Sequence, residues 1–360
     1  MTITTNFPGG NIDVLETKEN IIKVKPQFRD TEGEWFYWAF CVSGAAGKTL
    51  RFDFGPYAYV GYHGPAISGD LKEWRWAGRN SEDLSSFVYT FGENENNIYF
   101  AHDMLYGEKR LDSFAKKMKL DKRRLCTSEK GRYVPFIQYG DGENVIMLTA
   151  RHHCCESTGS YMLEGVLEEL CKNPIENFRV IAVPFVDFDG VIDGDQGKNR
   201  RPHDHNRDYG EKTTPIYTCV REIKNIVEKQ QIKYAFDFHS PWHLGGRNDK
   251  LFLVRKDPEK ISRYISFGEI LQRKTGDAKS MKYSLSDDIN PGEEWNTAQN
   301  GMNNSFSAYC SKKPENVLAI SIETPYFGLE SDIVSQQKLA HTGRAFARAL
   351  DEYIKGENNK

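Results

Sequence analysis

The sequence predicts an α/β protein in two parts: an N-terminal antiparallel β-sandwich, then an α/β/α domain with a mixed, mainly parallel sheet. Before about residue 125, short strand-like runs follow one another between Gly, Asn and Asp turns, as in packed antiparallel sheets. After it, apolar runs of strand length alternate with segments of helical spacing, as in a sheet covered by helices on both faces. At 360 residues the chain is long enough for two cores, and the division is drawn into residues 1–122 and 123–360.

In the first part the strand-like runs are 21–28, 34–42, 50–54, 87–91 and 98–101. Trp35, Phe36, Tyr37, Trp38 and Phe40 make 34–42 an aromatic strand suited to the space between two sheets. Glu73, Trp74, Arg75 and Trp76 alternate charge with indole, which suits a further half-buried strand with its tryptophans in the core. Residues 116–124, with five Lys or Arg between Lys117 and Arg124, read as a solvated linker. In the second part 145–150, 180–185, 234–238 and 317–322 are apolar enough to be buried strands. Segments 160–170, 216–230, 258–273 and 333–354 read as helices, the last with Leu339, Phe346, Leu350 and Ile354 on one face. Residues 280–311 show little periodicity and read as long loops, where substrate choice often resides.

Composition narrows the function. An apolar fraction of 39% and a charged fraction of 28% describe an ordinary globular protein. A net charge of −3 provides no general field for nucleic acid or an anionic membrane. The apolar runs fall well short of the roughly 20 residues needed to cross a bilayer, and residues 1–14 lack the apolar core of a signal peptide. Seven cysteines, with no metal-type Cys-x-x-Cys pair, argue against a disulfide framework and for a cytoplasmic location.

The residues that carry chemistry stand at or just after apolar strands. Ligands of open α/β sheets bind beyond the carboxyl ends of the strands. His153 follows 145–150, His239 ends 234–238 and Glu323 ends 317–322, so all three are expected at one sheet edge. A catalytic zinc site takes three N/O ligands and keeps a position open. His153 and Glu156 are close enough in sequence for a tight turn to aim both at one ion, and His239 supplies the third ligand. His152 would need its partner at Cys155. Adjacent residues rarely face one ion, so Cys154 and Cys155 are assigned to packing.

Glu323 is then free to act as general base, taking a proton from water and passing it to the leaving amine. Burial at the strand end would raise its pKa, which suits that task. Asn206 and Arg207 suit a substrate carboxylate, the arginine through its two-pronged fork. Asp204 can hold the far nitrogen of a ligating histidine. Arg200 and Arg201 both offer a cation for a developing oxyanion. His203 and His205 read as solvated loop histidines.

In this order the residues resemble the zinc carboxypeptidases, most nearly the cytosolic-carboxypeptidase branch and its bacterial relatives. The resemblance rests on His153 with Glu156, Asn206 with Arg207, His239 and Glu323. Asp187, Phe188, Asp189 and Gly190 are similar to the family's Asn-Pro-Asp-Gly turn. Glu129, Lys130, Gly131 and Arg132 resemble the segment that leads into its first catalytic strand. In the first part, Trp35, Phe36, Tyr37 and Trp38 and the strands at 50–54 and 98–101 resemble the β-sandwich that precedes the catalytic domain in that branch.

The resemblance covers most of the chain and implies one zinc ion. It implies removal of a C-terminal or side-chain-linked amino acid from a peptide with a free carboxylate. Neither nucleic acid nor membrane is an expected partner. It also implies an arginine between the Asp-Gly turn and Asn206. Gly197 stands near the usual offset, and of Arg200 and Arg201 the former is expected to fill the role. His205 stands where leucine is usual, and Tyr309 is the candidate for a tyrosine that closes over substrate. Two other readings stand beside this one: a zinc-dependent deacylase or amidase acting on an N-acyl amino acid or cell-wall-type amide, and a non-catalytic binding protein with a degenerate site.

Overall fold

The structure, a computed structural model, describes residues 1–80 and 83–358. Its first part contains β1 (Thr2–Thr4), β2 (Asp13–Lys18), β3 (Ile21–Lys25), β4 (Ala39–Ser43), β5 (Thr49–Asp53), β6 (Ala66–Ser68), β7 (Arg75–Trp76), β8 (Ser86–Thr90) and β9 (Asn97–Ala101). They form two sheets, ordered β1-β4-β9-β6-β7 and β2-β3-β5-β8. Strict alternation sets their faces: Ile22 and Val24 of β3, and Leu50 and Phe52 of β5, are buried between exposed neighbours. Phe40 of β4 lies 5.0 Å from Phe52 of β5, and Phe87 of β8 lies 5.4 Å from Phe100 of β9, so both sheets feed one aromatic core.

Three expectations change here. First, β3 and β5 pair in parallel. The chain leaves β3, runs through the other sheet as β4 and returns in the same direction, and such a crossover gives parallel neighbours. Second, the run at 34–42 is a strand only from Ala39 onward. Ahead of it, Tyr37 donates its N–H to Gln196 Oε1 (3.0 Å) and accepts from Gln196 Nε2 (2.8 Å), while Phe36 stacks on His243 at 4.9 Å. A distant side chain thus satisfies main-chain groups that a neighbouring strand would otherwise hold.

Third, the basic run is not a linker. It spans the end of α1 (Glu108–Met118) and the start of β10 (Lys122–Thr127). Lys116 and Lys117 sit in the last turn of α1, where cations meet the negative end of the helix dipole. Lys122 turns back to Glu108 and Asp112, and Arg123 pairs with Asp121 at 2.9 Å. Leu111, Phe114 and Ala115 anchor the other face of α1 in the core.

The second part continues with β11 (Tyr133–Tyr139), β12 (Asn144–Ala150), α2 (Ser157–Lys172), β13 (Phe178–Val183), α3 (Phe188–Asp193), α4 (Thr218–Lys229), β14 (Gln231–His239) and β15 (Phe252–Arg255). It ends with α5 (Ile261–Lys274), α6 (Phe306–Ser311), β16 (Leu318–Glu323), the short ribbon β17 (Gly328–Leu329) and β18 (Asp332–Ile333), and α7 (Gln336–Asn358). Its seven-stranded mixed sheet is ordered β10-β11-β13-β12-β14-β16-β15. The four central strands run parallel, β11 and β15 run against them, and β10 pairs antiparallel with β11. The buried central strands read as continuous apolar runs for that reason. Residues 280–311 are mostly loop, closed by α6, whose six residues are too few to show helical periodicity. No helix of the described residues is long and apolar enough to cross a membrane.

The sheet is held to its helices by an aromatic cluster. Phe346 of α7 meets Phe236 of β14 at 4.9 Å and Phe267 of α5 at 5.2 Å, and all three are fully buried. Phe346→Ala is expected to cost about 3–5 kcal/mol, the usual range for emptying such a site. Urea unfolding measures it, and a loss under about 1 kcal/mol would show that this cluster is not what holds α5 and α7 to the sheet.

Candidate active site

Beyond Ala150 the chain turns sharply. Arg151 takes a left-handed φ of 62°, a conformation that costs a non-glycine residue roughly 1–2 kcal/mol. Its guanidinium holds the turn in place: Nε donates to Cys154 O (2.7 Å) and Nη1 to Tyr106 O (2.7 Å). Glu156 N donates to His153 O (3.2 Å), and α2 starts at the next residue. The short spacing therefore does bring His153 and Glu156 together. Glu156 Oε1 lies 2.8 Å from His153 Nδ1, and Oε2 lies 2.7 Å from His239 Nδ1. His239 ends β14, in register with Glu323 at the end of β16.

The donor atoms of His153, Glu156 and His239 all lie within 4.8 Å of one another. The outer nitrogens also find carboxylates. His239 Nε2 is 2.6 Å from Asp237 Oδ2, and His153 Nε2 is 3.6 Å from Asp204 Oδ1. With zinc bound, carboxylates on the outer nitrogens would keep the protons there and leave both Nδ1 atoms to the metal, as metal-ligating histidines require. Two imidazoles and a carboxylate fit zinc with room for a further oxygen. A second triple, His152, Asp237 and His239, meets the same distance. His152, however, is fully buried, with Nδ1 at 2.7 Å from Asp237 Oδ1 and Nε2 at 2.7 Å from Tyr209 Oη. Neither His152 nor Asp237 lines the cleft, whereas His153 and Glu156 do, so the His153 set is the one placed to meet a substrate.

His153 and Glu156 open on a cleft of about 920 Å³, lined also by Lys198, Arg207, Trp295 and Glu323 among others, and His239 lines the adjoining recess. Burial alone would raise the Glu156 carboxyl, but His153, Lys198 and His239 hold it well below the usual range. Glu323 goes the other way. Burial raises its pKa, His239 counteracts and Glu156 adds to the rise, leaving a net increase. Asn206 accepts from Phe306 N through Oδ1 (3.0 Å) and sets its Nδ2 3.1 Å from His239 Nε2. Arg207 donates from Nε to Asn300 O (3.0 Å) and from Nη1 to Asn206 O (3.2 Å), with its fork at the cleft wall. The side chain crosses Gly301, where a Cβ would lie 2.6 Å from Arg207 Cδ, so only glycine fits there.

Other residues stand elsewhere than expected. Arg200 is held by Asp187 at 2.7 Å, Asp30 at 2.9 Å and Asp195 at 3.2 Å, so its charge is already matched. Arg201 is exposed and pairs with Glu32. The cation beside the ligand set is Lys198, with Nζ 2.5 Å from Glu156 Oε1. Its one sequence signal is that it follows Gly197. His205 is not solvated: it is buried, stacked on Tyr217 at 3.6 Å, and burial pushes its pKa down to about 4. His203 is half-buried beside Asp208 at 2.8 Å. Tyr309 lies in α6 with its hydroxyl on Glu228, so it does not close over the cleft. Cys154 and Cys155 are packed, Cys154 donating to Asp195 O (3.0 Å), and burial pushes the Cys155 thiol up to about 12.

A further residue carries no sequence signal. Lys256, just after β15, lines a narrow recess with Arg207, Trp295, Met302 and Glu323. Its ammonium donates to Asn296 Oδ1 (2.9 Å) and faces the Trp295 ring at 5.7 Å. Burial, with Arg207 adding to it, pushes its pKa down to about 8.

Comparison with known proteins agrees with the resemblance in the residues. An uncharacterized protein of Zymomonas mobilis is 26% identical over 261 residues, covering 66% of this chain and 68% of its own. Cytosolic carboxypeptidase 2 of Danio rerio is 22% identical over 233 residues, covering 57% of this chain and only 32% of its own length. Among solved structures, a metallo-carboxypeptidase from Burkholderia cenocepacia superposes with a TM-score of 0.80 at 18% identity over 99% of both chains. A metallo-carboxypeptidase from Pseudomonas aeruginosa, solved in complex with (2-guanidinoethylmercapto)succinic acid, gives 0.78 at 18% identity over 99% of both chains. The fold is that of the metallo-carboxypeptidases along the whole chain. No model of a protein family matches it.

His153→Ala is expected to abolish zinc binding, and Asp204→Asn to weaken it roughly 10–100-fold through loss of the carboxylate charge behind His153. Metal analysis and chelator competition measure both. Equal, negligible zinc in wild type and His153→Ala would remove the metal site and favour a non-catalytic scaffold.

Proposed function

We propose that the protein is a metallocarboxypeptidase-type zinc hydrolase that removes a C-terminal or side-chain-linked amino acid, preferentially an acidic one, from a peptide. The observation that carries this is the clustering of His153, Glu156 and His239 beside a cleft that His153 and Glu156 line together with Glu323 and Arg207. Zinc held by the first three would polarise the scissile carbonyl and acidify water. Arg207, helped by Asn206, receives the free α-carboxylate through its fork. Glu323 takes a proton from the attacking water and delivers it to the leaving nitrogen, and its raised pKa suits both steps.

Acidic preference rests on Lys256. A buried ammonium satisfied by one amide oxygen and an indole face is matched best by an anion entering the recess. The wider reading places a β-sandwich domain at residues 1–122 beside a catalytic domain at 123–360, in the cytoplasm. Seven unpaired cysteines are in keeping with a reducing compartment.

Glu323→Gln is expected to lower kcat about 10²–10⁴-fold with zinc retained. Mass spectrometry of products from a mixed peptide library tests the reaction. If zinc-loaded wild type left the library intact but cleaved N-acyl amino acids, and Arg207→Ala did no harm, the deacylase reading would replace this one.

Lys256→Met is expected to raise KM for C-terminal Glu or Asp about 10–100-fold, the worth of a charged hydrogen bond, and to spare neutral residues. The ammonium is charged below about pH 8 and neutral above it, so KM for acidic residues should hold steady below that pH and rise beyond it. A KM for acidic residues that stays flat through about pH 9 would count against Lys256 as their partner.

A further inference from the structure

We propose that Lys198 is the catalytic cation that stabilises the carbonyl oxygen as water adds, and that residues 30–35 of the N-terminal part position it. This rests on the zinc-hydrolase reading. In the reaction the water oxygen bonds to the carbonyl carbon, its proton goes to Glu323, and the carbonyl π electrons move onto oxygen. A fixed positive charge must meet that oxygen close to the ligand set.

Of the cations around the cleft, Arg200 is matched by three aspartates, Arg201 and Arg247 pair with Glu32 and Glu294, and Arg207 and Lys256 serve the two ends of the departing residue, whereas Lys198 pairs with Glu156, itself a member of the ligand set. Lys198 remains. Its Nζ shares Glu156 with the two imidazoles at 2.5 Å, its side chain is 13% exposed, and the Glu323 charge reaches it.

The backbone leaves Lys198 little freedom to be elsewhere. Gly197 has φ +74°, and a Cβ on it would lie 2.4 Å from Cys154 N. The loop before Lys198 is thus pressed against the 153–156 turn, closer than any side chain would permit. From the other side Asp30 accepts from Gln196 N (2.9 Å) and Gly197 N (2.8 Å). Thr31 Oγ1 donates to Lys198 O (2.7 Å), and Glu32 N donates to Asn199 O (3.1 Å). The Trp35 ring then faces the ammonium at 5.4 Å, a contact that steers a cation without neutralising it. Residues some 165 positions away in sequence therefore fix both the main chain and the charge of Lys198.

The test uses zinc-loaded full-length enzyme on a peptide that wild type cleaves. Lys198→Met is expected to lower kcat about 10²–10³-fold, with KM within about threefold and zinc stoichiometry unchanged. Lys198→Arg should recover at least about tenfold of that loss. Trp35→Leu should lower kcat in the wild-type background and cost nothing further beside Lys198→Met.

A Lys198→Met kcat within about threefold of wild type would overturn the assignment. So would loss of zinc in step with activity, which would make Lys198 a lock on Glu156 only. Full additivity of the two substitutions would overturn the role of Trp35. If Lys198→Met does not fold, Lys198→Gln takes its place with the same outcomes, and an unchanged kcat in Trp35→Leu overturns the role of Trp35. An inert zinc-loaded wild type, by contrast, removes the hydrolase reading itself and this assignment with it.

Discussion

The carboxylate of Glu156, 1% exposed, is the point on which the site depends. Stripped of water, a carboxylate is destabilised by several kcal/mol unless cations or hydrogen-bond donors replace its hydration. Here His153 at 2.8 Å, His239 at 2.7 Å and Lys198 at 2.5 Å replace it. Each comes from a separate piece of chain. Bringing them to one point requires β12 and β14 to be neighbours, the 151–156 turn to be tight, and the 195–200 loop to be pressed against that turn.

Charge is distributed around this point with some economy. Asp204 and Asp237 sit behind the imidazoles and set which nitrogen faces inward. The arginine nearest in sequence is neutralised by three aspartates, whereas Lys198, Arg207 and Lys256 present their charge to the cleft. Three cations are thus gathered at the cleft and its recess on a chain whose net charge is −3. Such local focusing is what global charge cannot reveal.

The N-terminal part is structural partner to this arrangement as well as neighbour. Gln196 holds the main chain of Tyr37 as a strand would, and Asp30 holds the main chain of Gln196 and Gly197 in return. Tyr37, Ala39 and Ala101 belong to the same continuous core as the seven-stranded sheet. A loop that would be mobile alone is thereby fixed from both sides.

Much was decided by the sequence alone because the signals are local. Apolar runs at 145–150, 234–238 and 317–322 are buried on both faces whatever surrounds them, so they became β12, β14 and β16, with His153, His239 and Glu323 at one edge. The three-residue step from His153 to Glu156 likewise needs only a turn. What the tertiary structure decided is where loop side chains find their charge partners. Arg200 gave way to Lys198 because Asp30, Asp187 and Asp195 converge on the arginine. His205 became buried because Tyr217 covers it, and Lys256 became a recess wall because 280–311 folds over it. The 116–124 run became helix and strand because an apolar face opposite its charges docked. In each case the deciding contact depends on how loops fold back in space, and spacing along a sequence carries no record of such meetings.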